Sequence, residues 1–64
     1  MKGQITEAVR LHLEGLIRKH KLNLELMLTN PVSVAEHPDF IETFESELEK
    51  VAHYEDMLDT LIRL

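Results

Sequence analysis

One break governs what this chain can become. Asn30-Pro31 closes whatever precedes it, because proline keeps its predecessor out of the helical region and lacks the N–H that would continue a ladder. On either side of it, apolar residues recur at helical spacing. The sequence therefore predicts two helices, about 3–29 and about 38–63, joined by a turn over about 30–37. Ser33-Val34-Ala35-Glu36 has the spacing of a capping box, and Pro38-Asp39 suits a first helical turn. Two glycines and two prolines supply too little turn chemistry for a meander of short strands. The predicted fold is all-α: a single domain over 1–64, an antiparallel two-helix hairpin that self-associates into a helical bundle.

Self-association follows from the pattern of the first helix. Ile5, Val9, Leu13, Leu16, Ile17, Leu24, Met27 and Leu28 share one broad face, with His20 near its centre. Ala8, Leu11, Gly15, Leu22 and Leu26 fall on another. A single partner helix covers only one of these faces, so the second group is predicted to form an oligomer interface. The second helix is simpler. Ile41, Phe44, Leu48, Val51, Glu55, Leu58 and Ile62 step by alternating threes and fours, a heptad seam widened by Phe40, Tyr54, Met57 and Leu61. Glu42, Glu45, Glu49, Asp56 and Asp59 lie opposite and read as a solvated face. With no cysteine, neither a disulfide framework nor a thiolate zinc site can staple so short a chain. Chains of this size commonly complete their core by association, most simply here as a homodimer forming a four-helix bundle, with a higher homo-oligomer as the extension.

Two acids intrude on the apolar stripe of the second helix, Glu47 and Glu55, and two histidines lie along the first, His12 and His20. A turn centred near residue 34 makes antiparallel neighbours sum to about 67, which sets His20 opposite Glu47 and His12 opposite Glu55. Polar pairs in a seam cost stability but fix register, and that is the role expected of these four residues. None of the histidines reproduces a metal-ligand spacing: His12 and His20 are too far apart for one ion, His37 sits in the turn, and His53 has only Glu49 and Asp56 at contact spacing. No metal, no cofactor and no catalytic residue is predicted, so the chain is read as a non-enzyme.

Twelve Asp and Glu against seven Lys and Arg give a net charge of −5, unevenly spread. Residues 1–30 hold five basic and three acidic side chains; residues 31–64 hold two and nine. Arg18-Lys19-His20-Lys21 is the one basic cluster, without the interleaved aromatics of a nucleic-acid surface. Charges at Glu7 and Arg10 stand where a secretory signal needs an apolar run, and no stretch reaches the ~20 apolar residues of a membrane span. A cytoplasmic protein is expected.

The segment Asn30-Pro31-Val32-Ser33-Val34-Ala35-Glu36-His37-Pro38-Asp39, followed by acidic heptads containing Glu55-Asp56-Met57-Leu58-Asp59, resembles small helical-hairpin proteins encoded by tailed bacteriophages. Ser33 and Ala35 stand where that pattern has glycines. The resemblance implies a helical hairpin of phage origin acting in the host cytoplasm, and it carries no functional residues. The expected function is a small self-associating protein-interaction module, an accessory phage factor binding a host or phage protein. The alternatives are a nucleic-acid-related role, through the basic cluster or through acidic mimicry of DNA, and a ligand-sequestering oligomer.

Overall fold

The structure, a computed structural model, describes residues 2–30 and 39–64. Two helices, α1 (Lys2–Thr29) and α2 (Phe40–Arg63), pack against each other along their length, and there is no strand among the described residues. α1 ends where the sequence requires. The Asn30 N–H still reaches the Leu26 carbonyl at 3.1 Å, the Thr29 hydroxyl donates back to the Glu25 carbonyl at 2.9 Å, and Pro31 follows. α2 begins at Phe40, two residues later than the sequence suggests. Asp39 is the cap, and its carbonyl accepts the first helical bond from the Thr43 N–H at 3.0 Å. The capping box at 33–36, the turn, His37 and most of the phage-like segment lie outside the described residues.

The seam between the helices is a double heptad. α1 contributes Leu13, Ile17, His20, Leu24 and Met27; α2 contributes Phe40, Phe44, Glu47, Val51, Tyr54, Leu58 and Leu61. Both sets step by threes and fours, the periodicity that keeps one stripe facing an antiparallel partner. This corrects the expected seam of α2. Phe44, Val51 and Leu58 are in it, but Ile41, Leu48 and Ile62 are 66%, 47% and 69% exposed on its flank. Their places, and that of Glu55, are taken by Phe40, Glu47, Tyr54 and Leu61, one residue earlier in each turn. The physical reason is polar: across the seam His20 donates to Glu47 and stacks on Tyr54. On α1, Ile5, Val9 and Leu28 likewise prove exposed.

This core is thin. Among the described residues, Leu13, Leu24 and Val51 are the buried apolar ones, His20 joins them, and no side chain is fully enclosed. The molecule is a rod of 50 × 14 × 12 Å with a radius of gyration of 15.0 Å, against about 11 Å for a compact domain of this length. It exposes 5142 Å², where a folded monomer of 7.5 kDa exposes about 4,250 Å².

Candidate functional site

Two features stand out along the rod: a polar cluster within the seam and an apolar face outside it. The cluster centres on His20, which the heptad phase of α1 turns into the helix–helix contact between Leu13 and Leu24. Its Nδ1–H donates to Glu47 Oε2 at 2.5 Å, and the side chains are only 8% and 14% exposed. Asn23 Nδ2 donates to the same oxygen at 3.4 Å, and the Lys50 ammonium lies 3.6 Å from Oε1. The Tyr54 ring stacks on the imidazole, with centroids 5.8 Å apart and planes 21° from parallel. No buried side-chain nitrogen or oxygen among the described residues lacks a partner.

Burial on its own would raise the Glu47 carboxyl. The hydrogen bonds from His20 and Asn23, with the charges of His20 and Lys50, outweigh it and hold the group below its ordinary value of 4.5. A carboxyl depressed on folding contributes stability that is fully present above the unfolded value and is lost as pH falls through the folded one. Urea midpoints are therefore expected to decline as pH is lowered from about 5 toward 3, and Glu47→Gln to flatten that decline. Equal acid slopes in the two proteins would show that Glu47 does not carry the effect. Glu7 is held down in the same sense by Arg10, but that pair is exposed and screened.

The second expected pair does not form. His12 is exposed, and Glu55 instead meets Lys21 at 3.2 Å, in an open groove whose apolar floor includes Ile17, Leu22 and Leu58. Eight residues are 2.2 helical turns, so His12 is rotated about 80° from His20 and leaves the seam. The register differs as well: Tyr54 and Glu47 bracket His20, and Glu55 sits beside Lys21, about two and a half turns of α1 from where a count from residue 34 puts it. His53 tilts against Tyr54 with centroids 5.5 Å apart, facing the outside. No group of three potential metal ligands converges among the described residues. The cluster ties the two helices together across the seam, with Glu47 and Tyr54 of α2 both held by His20 of α1.

The apolar face lies on the other side of α1. At about 100° per residue, Ala8, Leu11, Gly15, Leu22 and Leu26 centre roughly opposite the seam, with Leu22 at the edge that also lines the groove beside α2. All five are exposed, Leu11, Leu22 and Leu26 by 56%, 47% and 66%. α2 carries a narrower stripe of Ile41, Leu48 and Ile62, and acidic residues flank it. Neither described helix is long and apolar enough to cross a membrane. In comparisons with known proteins, the chain matches no family model, no curated protein and no solved structure.

Proposed function

We propose that the chain is a small self-associating protein-interaction module, whose hairpins pair through the outer face of α1. One observation carries this reading: α1 is apolar on two opposite sides, and α2 covers only one of them. An uncovered stripe of leucines along a rod with so thin a core is a surface that association would complete. Pairing through α1 leaves α2 on the outside, where Ile41, Leu48 and Ile62 among acidic residues offer a helical surface to a second protein. The phage-like sequence about the turn supports an accessory phage factor acting on a host or phage protein.

Mass action supplies the test. A protein that folds as an oligomer melts at a temperature that rises with its own concentration. Melting temperature is expected to climb by several degrees between about 1 and 100 µM chain, with sedimentation equilibrium giving twice the chain mass at the upper end. A melting temperature independent of concentration, with a monomer mass throughout, would overturn the reading.

A further inference from the structure

α2 carries two seams on one helix. Phe40, Glu47, Tyr54 and Leu61 are half-buried against α1. One residue further on in each turn, Ile41, Leu48 and Ile62 stand exposed, with Glu55 completing their row. Phe44, Val51 and Leu58 belong to both sets and lie along their common edge. At 100° per residue, the centres of the two sets differ by about 60°. Rolling α2 through that angle about its own axis therefore exchanges one seam for the other. Leu13, Ile17, Leu24 and Met27 of α1 remain the surface it packs on.

The two positions are closely matched. Besides the shared three, each brings three large apolar or aromatic side chains and one carboxylate to the seam. Each carboxylate already has a donor on α1: Glu47 meets His20 at 2.5 Å, and Glu55 meets Lys21 at 3.2 Å. What separates the positions is the set of contacts at His20. Its Nδ1–H and the Asn23 amide converge on Glu47, and Tyr54 stacks on the imidazole. Rolled, Leu48 stands in the place of Glu47 and Glu55 in that of Tyr54. The Nδ1–H then faces a leucine, and a carboxylate lies over the ring, where it accepts no hydrogen bond. A difference so local is of the kind that divides two packings of one sequence. We infer that α2 is a two-position helix, and that the His20–Glu47 contact is the catch holding it in the position seen. Released, α2 rolls: Ile41, Leu48 and Ile62 turn inward, and Tyr54 and Leu61 emerge on the opposite flank. The catch thereby sets whether the α2 stripe is available to a second protein, a consequence that rests on the function proposed above.

Two variants separate the catch from the seam. Glu55→Leu makes the second seam apolar throughout, and Glu55 is half exposed outside the first. With the catch intact, this variant is expected to keep the observed position. His20→Leu/Glu55→Leu removes the catch as well and is expected to roll the helix. Methyl relaxation by a soluble gadolinium chelate reads the position. In the unsubstituted chain and in Glu55→Leu, the Leu48 and Ile62 methyls are expected to be broadened and those of Leu61 protected. In the double variant the pattern reverses, and the NOE between Leu13 and Leu61, which line one groove, is lost. Tyr54 is the one tyrosine of a tryptophan-free chain, so acrylamide quenching of its fluorescence is expected to rise in the double variant alone. A double variant that retains the original pattern overturns the inference. So does one that fails to fold, because a complete second seam would hold it. Rolling in Glu55→Leu alone would show that His20 is no catch and overturn it equally. Sedimentation of the same samples reads self-association separately, and none of these outcomes bears on it.

Discussion

Glu47→Leu is expected to lower stability by about 2 kcal/mol, a fall in melting temperature of roughly 10 °C, while His20→Leu/Glu47→Leu recovers most of that loss. The single change leaves the His20 Nδ1–H in the seam with no acceptor, beside an Asn23 amide that has lost the same oxygen. A buried donor left unsatisfied costs its full desolvation, whereas removing both partners leaves leucines where the heptad already asks for them. His20→Leu alone should cost less than Glu47→Leu, since Glu47 keeps Asn23 and Lys50. Urea unfolding of the four proteins gives the coupling directly. Additive single effects would show that the 2.5 Å contact is energetically idle. The recovered double variant should pay in specificity, because uniform leucine layers tolerate slipped registers that a buried polar pair forbids.

The sequence exposes the helices readily and their register poorly. Pro31 and the long apolar periods suffice for two helices and one interruption, since both effects act within a few residues along the chain. Choosing the seam of α2 is harder. The steps through Ile41, Leu48, Glu55 and Ile62 and through Phe40, Glu47, Tyr54 and Leu61 are equally regular, and they share Phe44, Val51 and Leu58. Hydrophobicity favours the first set. What selects the second is a cross-helix fact, the hydrogen bond and ring stacking that His20 offers to Glu47 and Tyr54. Counting from an assumed turn centre brings His20 to Glu47, and the structure has them in contact. The same count misplaces His12 and Glu55, because it treats opposed numbers as neighbours without asking which way each helix turns its side chain. Lys21, whose long stem reaches Glu55 from the edge of the seam, is the partner that such a count overlooks. The outer stripe of α1 was legible because it needs only one helix: Ala8, Leu11, Gly15, Leu22 and Leu26 group together at 3.6 residues per turn whatever α2 does.

Leu22→Glu/Leu26→Glu is expected to leave a monomer of reduced stability where the proposed pairing through α1 makes the unsubstituted chain a dimer. Leu26 is largely and Leu22 about half exposed in the hairpin, and neither belongs to the seam through His20, Leu24 and Val51. In a two-fold interface, every substitution is felt twice. Four leucines at about 1.5 kcal/mol each are withdrawn from burial, and four carboxylates would have to be desolvated to restore contact. The transfer contribution alone is about 6 kcal/mol, or roughly four orders of magnitude in dissociation constant. The released hairpin keeps its helices at low temperature but melts earlier, because a seam in which Leu13, Leu24 and Val51 are the buried apolar residues of the described helices must then hold it without help. Ile41→Gln/Leu48→Gln is the matched control. It removes two comparably exposed apolar residues from α2, and dimerisation through α1 should tolerate it within about three-fold. Sedimentation equilibrium on the three proteins decides between the faces. Loss of the dimer in the α2 variant, with the α1 variant unaffected, would move the interface to the acidic helix.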